Sequence, residues 1–152
     1  MAKRKRAASQ RRVKFHEGTL FSGISKDLPS LKRAYLLTEF VSQIGFDWPK
    51  IGGILKKLEE EMEELREALS LKSRRRIREE IGDLLFVLVN ISRFLRIDPE
   101  EALNKTLEKF TSRFNYIEKS LRKKGKTLRQ SNLIEMDRLW EEAKRKKMER
   151  SK

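Results

Sequence analysis

The sequence predicts an all-α protein, a helical bundle of about four long helices followed by a C-terminal helix. Apolar residues recur at helical spacing in every long segment, and no segment alternates as a strand does. Only three prolines and seven glycines occur among 152 residues, which fits long helices joined by few turns. Hydrophobic residues make up 38% of the chain, enough for the core of one helical domain.

The first two predicted helices are separated by the turn sequence GFDWP. The first begins near Pro29, because proline is favoured at a first helical position, and it ends at Gly45. The second spans about residues 50–69, with an apolar stripe that steps by four and three residues. That stripe consists of Ile51, Leu55, Leu58, Met62, Leu65 and Leu69. We expect this stripe to be the face that packs against the core.

The third predicted helix, about residues 74–96, is capped by Ser73 and is apolar almost all round. Because a helix with apolar residues on every face is buried on every face, we expect a central helix or an oligomer interface. A fourth helix, about residues 99–124, and a last helix, about residues 133–147, complete the bundle.

Most of the net charge of +14 lies at the two ends of the chain. Residues 1–14 hold seven bases and no acid, and residues 144–152 add a net +5, so the body is close to neutral. We therefore expect a basic, disordered tail and lead-in over residues 1–19, one domain over residues 20–147, and a basic tail over residues 148–152. Weak, sequence-independent binding to phosphate backbones is the function that such tails would support.

Several classes of protein are excluded by what the sequence lacks. There is no cysteine, which excludes disulfides, zinc–thiolate sites and thiol catalysis. No Gly-rich phosphate loop is present, which excludes a P-loop mechanism. No apolar run approaches the roughly 18 residues that a membrane span needs, and residues 1–14 lack the core of a signal peptide. We therefore expect a cytoplasmic protein.

Two acidic pairs lie between residues 57 and 83. Glu61 and Glu64 border the apolar stripe of the second predicted helix, and Glu80 and Asp83 open the third. Since residues three apart share one side of a helix, two adjacent helices would bring the four carboxylates together. Unpaired acids are costly to desolvate, whereas Mg²⁺ or Mn²⁺ is held by such oxygen ligands. The spacing therefore favours a metal site.

A solvated acidic face is the alternative for this segment. Glu60 and Glu63 point away from the apolar stripe and can pair with bases of their own helix, such as Lys57 and Arg66. This alternative accounts less well for an acid pair beside the stripe that is followed sixteen residues later by a second pair.

The acidic signature, EExxE at 60–64 followed by ExxD at 80–83, resembles that of the MazG-type nucleoside triphosphate pyrophosphohydrolases. This family belongs to the all-α NTP pyrophosphatase superfamily. The other segments that resemble the C-terminal MazG domain, in the same order, are GFDWP at 45–49, EIGDLLF at 80–86, VN at 89–90, EKF at 108–110, RF at 113–114 and Trp140. The resemblance covers about residues 20–147. Larger MazG proteins carry two such domains, and this chain has one.

The resemblance implies hydrolysis of an NTP or dNTP between the α and β phosphates, giving nucleoside monophosphate and pyrophosphate, in nucleotide clearance or pool sanitation. The residues that it assigns to Mg²⁺ and to catalysis are Glu61, Glu64, Glu80 and Asp83. The residues that it assigns to substrate binding are Lys109, Arg113, Asn90 and Trp140. Trp140, and Trp48 with it, could equally be core residues. The family forms dimers or higher oligomers, so a homodimer is expected.

Elementary chemistry agrees with these assignments. Carboxylates repel a triphosphate, so a metal ion must bridge the two, and Glu64 is a candidate to accept the proton of the attacking water. Lys109 and Arg113 would stabilise charge on the leaving pyrophosphate.

Two other functions stay open at this point. One is a non-catalytic helical module that binds nucleotide or nucleic acid through its basic tails, and it has no need of four acids. The other is a purely structural bundle, in which neutralising the acids would stabilise the fold.

Overall fold

The structure is a computed structural model that describes residues 20–150, and the side chains of residues 20–146. Within these residues it contains helices and no strand, which confirms the predicted all-α fold class. The helices are α1 (Ser30–Gln43), α2 (Ile51–Ser70), α3 (Arg74–Phe94), α4 (Pro99–Lys123) and α5 (Leu133–Arg150), with a 3₁₀ turn at Leu128–Gln130 before α5. The predicted N-terminal tail, 1–19, lies outside the described residues.

The helix ends follow local sequence signals. Gly45 and Gly125 adopt positive φ angles of 92° and 69°, a conformation that costs glycine little, just after α1 and α4. The Ser73 hydroxyl accepts a hydrogen bond from the Arg76 backbone amide at 3.4 Å, as expected of the cap of α3. The predicted limits of α1 to α4 therefore hold to within two residues, whereas α5 runs three residues farther and the 3₁₀ turn was not predicted.

The chain forms two compact units that divide at Pro99. The first contains α1, α2 and α3, and the second contains α4 and α5. The domain limits predicted from the sequence, with a single body over residues 20–147, stay a prediction.

In the first unit α3 packs against both α1 and α2. The buried positions of α2 are Ile54, Glu61 and Ala68, spaced by seven residues along one line. Leu55 and Leu69, at the centre of the predicted stripe, are instead about half exposed. The predicted packing face was wrong by about one residue, because the line that meets α3 runs through a glutamate, which a count of apolar residues does not register.

The expectation that α3 is buried on every face is wrong for the single chain. Ile81, Leu85, Leu88 and Leu95 are each about half exposed, since α1 and α2 cover only part of its circumference. The buried residues of α3 are Glu80, Val87, Val89 and Arg93. An apolar face of α3 thus lies at the surface of the chain.

In the second unit Ile117 and Leu121 of α4 pack with Leu139 of α5. The partly buried side chains around this core are Phe114, Tyr116, Leu128, Met136 and Trp140. Glu135 of α5 forms ion pairs with Lys124 and Lys126 of the loop that follows α4, at 3.5 and 3.2 Å. Within the described residues no helix is both long enough and apolar enough to cross a membrane.

Candidate metal centre and nucleotide cavity

Three of the four predicted ligand residues come together between α2 and α3. Glu61 and Glu64 occupy successive turns of α2, and Glu80 lies in the second turn of α3. One carboxylate oxygen of each residue lies within 4.8 Å of the others. Glu61 is 5% exposed and Glu80 is 8% exposed, whereas Glu64 is open to solvent. Two buried carboxylates and one accessible carboxylate form this cluster, called here the acid cluster.

The buried carboxylates of the acid cluster are incompletely paired. Oε2 of Glu61 and Oε2 of Glu80 are both inaccessible to solvent and have no hydrogen-bond partner among the described residues. Lys57, one turn earlier on α2, places its Nζ 2.6 Å from the other oxygen of Glu61. Because an unpartnered charged oxygen is costly to bury, this arrangement calls for a further positive group.

The electrostatics of the acid cluster indicate an excess of negative charge. Burial raises the pKa of Glu80 above its ordinary value, and repulsion from Glu64, Asp83 and Glu61 raises it further. The pKa of Lys57 is raised as well, chiefly by its hydrogen bond to Glu61. The raised pKa of Glu80 and the raised pKa of Lys57 are both expected where negative charge exceeds positive charge.

The donor set of the acid cluster fits a hard divalent cation. It offers oxygen atoms alone, two of them buried and unpartnered, on two helices that pack together. Mg²⁺ and Mn²⁺ prefer such carboxylate ligands.

Asp83 lies at the edge of the acid cluster. It is exposed, and it is not one of the three residues whose oxygens converge, although it is close enough to raise the pKa of Glu80. Its role as a fourth ligand stays a prediction.

The neighbouring glutamates are ordinary surface charges. Glu60 and Glu63 are exposed, and Glu63 pairs with Arg66 at 2.9 Å. Glu60 lies 3.7 Å from Lys57. The solvated-face interpretation is therefore right for these residues, and the acid cluster is distinct from them.

A cavity of about 570 Å³ lies in the same unit, between α1, the 45–48 turn and α3. Its walls are largely apolar and aromatic, and include Phe21, Leu37, Val41, Phe46, Trp48 and Phe86. Asn90 and Arg93 of α3 contribute polar atoms. An apolar, aromatic cavity with a few polar groups is typical of a small-molecule site.

Trp48 reaches this wall because Gly53, in the first turn of α2, carries no side chain. A Cβ atom added to Gly53 would lie 2.7 Å from Cε3 of Trp48, closer than side chains approach one another. The indole therefore lies directly on the backbone of α2.

Asp83, at the edge of the acid cluster, lies on the same side of α3 as Asn90 of the cavity wall. Asp83 and Asn90 are seven residues apart on one line of the helix, and Phe86 lies between them. At 1.5 Å per residue the separation along the axis is about 10 Å. One extended ligand with an acidic end and an aromatic end could follow this line.

An ion pair and an amide join the 45–48 turn to α3, and sequence reasoning missed this link. Arg93 is 6% exposed and donates from Nη1 and Nη2 to the two oxygens of Asp47, at 2.8 and 2.6 Å. Its Nε and Nη2 also donate to Oδ1 of Asn90, at 3.0 and 2.8 Å. The hydrogen bonds from Arg93 lower the pKa of Asp47. Only the spacing of three between Asn90 and Arg93 was readable from the sequence.

The other predicted substrate residues belong to the second unit. Lys109 is exposed, and the guanidinium of Arg113 lies 5.3 Å from the centre of the Trp140 ring. Nε of Arg113 is buried without a hydrogen-bond partner among the described residues. Trp140 also contacts the ring of Phe110 beside the core, so its core role and its contact with Arg113 both hold.

Lys109 and Arg113 line a basic cavity. Its volume is about 1220 Å³, and it is lined by Lys109, Arg113, Lys119, Lys123 and Lys146 among others. Such a concentration of cations suits a phosphate-bearing ligand.

Comparison with known proteins places part of the chain in a known family. Residues 52–117 match the family model of the MazG nucleotide pyrophosphohydrolase domain. The chain carries a MazG domain. The matched segment of the MazG domain contains the acid cluster, Asp83, Asn90, Lys109 and Arg113, and it leaves out Trp48 and Trp140. The family recognised from the sequence is thereby confirmed.

Three relatives illustrate the similarity. A protein named nucleoside triphosphate pyrophosphohydrolase/pyrophosphatase MazG from Thermotoga maritima is 45% identical over 117 residues, 77% of this chain and 45% of that protein. A nucleoside triphosphate pyrophosphohydrolase from Escherichia coli is 29% identical over 151 residues, 98% of this chain and 57% of that protein. The uncharacterized protein YabN of Bacillus subtilis is 50% identical over 68 residues, 45% of this chain and 14% of that protein. The chain spans about half the length of the two pyrophosphohydrolases.

Proposed function

We propose that this protein hydrolyses nucleoside triphosphates, ribo- or deoxyribo-, to nucleoside monophosphate and pyrophosphate, with Mg²⁺ or Mn²⁺ as cofactor. One observation carries the proposal: a MazG domain holds two buried carboxylate oxygens that lack partners, Oε2 of Glu61 and Oε2 of Glu80. The names of the Thermotoga maritima and Escherichia coli relatives support the same reaction. Nucleotide clearance or pool sanitation is the proposed role.

The proposed metal ligands are Glu61, Glu64, Glu80 and Asp83. A divalent cation held there would neutralise phosphate charge and lower the pKa of water. Without it the carboxylates would repel a triphosphate, so substrate and cation are expected to bind together. Glu64 is exposed, unlike Glu61 and Glu80, and we propose that it accepts the proton of the attacking water.

The remaining groups handle the two ends of the substrate. The aromatic cavity would take the nucleoside, with Phe46 and Trp48 against the base and Asn90 as a polar contact. Lys109 and Arg113, with Trp140 holding the guanidinium of Arg113, would contact phosphate and stabilise charge on the leaving pyrophosphate.

We also propose that the protein is a homodimer or a higher homo-oligomer. The exposed apolar side chains of α3, including Leu85 and Leu88, support this, because contiguous apolar surface of this kind is typical of an interface. The expected consequence is a measured mass at least twice that of the 18.1 kDa chain. Leu85→Glu together with Leu88→Glu is expected to yield monomer in sedimentation.

The decisive experiment is product analysis with the full chain. Each NTP and dNTP, and a set of oxidised analogues, is incubated with Mg²⁺, and the nucleotide product and pyrophosphate are quantified. Equal amounts of monophosphate and pyrophosphate are expected, and none without a divalent cation. Release of diphosphate and orthophosphate, or no turnover of any nucleotide, would overturn the proposal.

The basic N-terminal segment supports a secondary proposal, weak nucleic-acid binding. Deleting residues 1–14, which hold seven bases, should leave turnover unchanged and weaken salt-sensitive binding to nucleic acid. Loss of turnover would instead place that segment in the active site. We also propose a cytoplasmic location, because no apolar run of the sequence approaches the length that a membrane span needs.

A further inference from the structure

The hydrogen bonds of Arg93 determine which way the Asn90 amide faces. An arginine can only donate hydrogen bonds, so the Asn90 atom that meets Nε and Nη2 of Arg93 must be the carbonyl oxygen, Oδ1. The amide NH₂ group, at the other end of the same planar amide, then points away from the guanidinium. It has no hydrogen-bond partner among the described residues, and Asn90 lines the aromatic cavity.

Arg93 is itself held in place. Its two terminal nitrogens meet both oxygens of Asp47 in a bidentate pair, and Oδ1 of Asp47 also accepts from the Trp48 backbone amide at 2.8 Å. Arg93 is 6% exposed, so water has little access to its side of these contacts. Because a fork of this kind fixes both position and plane, Asn90 cannot rotate its amide without breaking two hydrogen bonds to a buried charge.

We propose that Asn90 is a one-way hydrogen-bond donor to an acceptor atom of the nucleoside, and that Arg93 and Asp47 are the positioning residues that fix this polarity. The proposal rests on the proposed function, and it names the chemistry by which the aromatic cavity selects its ligand. A carbonyl or ring nitrogen of the base would satisfy the amide, and so would a sugar oxygen. A base atom that is itself a donor would leave two donors facing each other in a largely apolar cavity, which is unfavourable.

The test compares matched nucleotides in matched variants. UTP against CTP, and GTP against ATP, exchange a carbonyl for an amino group on the base, and UTP against dUTP removes the 2′-hydroxyl of the sugar. The full-length variants are Asn90→Asp, which replaces the donor by an acceptor of the same shape, and Arg93→Lys, which keeps the charge beside Asp47 without the planar fork. Gln43→Glu, on the exposed last turn of α1, is the charge-matched control.

We expect the kcat/KM ratio of at least one nucleotide pair to shift by about fivefold or more in Asn90→Asp. Arg93→Lys should shift the same ratio in the same direction by a smaller factor, and Gln43→Glu should leave it unchanged. A shift in a base pair identifies a base acceptor, and a shift confined to UTP and dUTP identifies the sugar. A merely structural role would lower all rates together without moving any ratio.

Ratios that stay within about twofold in both cavity variants would overturn the inference, even if turnover falls. If wild type hydrolyses no nucleotide, the proposed function fails on its own. The same ratios are then read from dissociation constants measured by calorimetry, so the donor role of Asn90 is still decided. Thermal unfolding of each variant confirms that a folded protein was compared.

Discussion

Two groups of buried polar side chains lie along the same helix, and they differ in how well they are satisfied. In the acid cluster, Glu61 and Glu80 each bury an oxygen that has no hydrogen-bond partner among the side chains of residues 20–146. Thirteen residues beyond Glu80, Arg93 uses all three of its nitrogens on Asp47 and Asn90. Each group contains buried charge, Glu61 and Glu80 in one and Arg93 in the other, so the difference lies in how these buried side chains are paired.

This difference separates the acid cluster, which requires added positive charge, from a cavity wall that can position a ligand. Buried charge is tolerated when it is paired and hydrogen-bonded, and it is costly otherwise. The buried guanidinium of Arg93 is fully paired by Asp47 and Asn90, so these three side chains form a rigid part of the cavity wall. The acid cluster becomes complete only with added positive charge, so we expect chemistry there.

The largest expected effect is on turnover. Glu61→Gln or Glu80→Gln should lower pyrophosphate release from dNTPs by about a hundredfold or more, because each change removes a proposed cation ligand while keeping its shape. Asp83→Asn should do the same if Asp83 completes the ligand set. Glu63→Gln, an exposed neighbour, is the control and should retain activity within about twofold. Full activity in Glu61→Gln and Asp83→Asn would show that the acid cluster is not the catalytic site.

The next effect is on the completed group. Arg93→Met should lower the free energy of unfolding by about 2 kcal/mol, because it leaves Asp47 without its partner. Arg66→Met, which breaks the exposed pair with Glu63, should cost about 0.5 kcal/mol or less. Urea unfolding measures both.

The Arg93–Asp47 pair should also depend on pH. Since Arg93 lowers the pKa of Asp47, its stabilisation is present above the ordinary carboxyl pKa and is lost as the pH falls through the lowered value. Equal losses in Arg93→Met and Arg66→Met would mean that the buried pair is no better than a surface pair.

A third effect should appear when divalent cation is added. Mg²⁺ or Mn²⁺ at about 100 times its dissociation constant should stabilise the folded protein by about 3 kcal/mol. The shift should vanish in Glu61→Gln and persist in Glu63→Gln. Scanning calorimetry of the nucleotide-free protein measures it, and an unchanged transition in wild type would argue against a cation at the acid cluster.

The smallest effect concerns Glu80 without metal. Because its pKa is raised in the folded state, the charged form is penalised on folding, and this penalty is absent below the ordinary pKa and grows as the pH rises. Glu80→Gln should therefore raise the thermal unfolding midpoint slightly at neutral pH and leave it unchanged in acid. If the acid cluster were only structural, Glu80→Gln would raise stability without lowering turnover. Stability and activity must therefore be measured on the same variant.

Much of the site was readable because the signals are local. The position of Glu61 and Glu64 beside the apolar stripe is a property of one helix, and it distinguished them from Glu60 and Glu63. The same reasoning misjudged the packing face of α2. A glutamate at the centre of a buried line contradicts the apolar pattern, and function is the usual reason for such a conflict.

The sequence by itself determined the helices, their caps and the two acid pairs, since these depend on neighbours within a few residues. Which buried carboxylate oxygens have no hydrogen-bond partner among the described residues, and how the Asn90 amide is oriented, could be seen only once the helices were packed. Asp47 and Arg93 are 46 residues apart, and no periodicity links a turn to a distant helix. Burial and hydrogen-bond satisfaction are properties of packed elements. Packing alone showed that the Arg93 guanidinium is fully paired and that the buried carboxylates of the acid cluster are not.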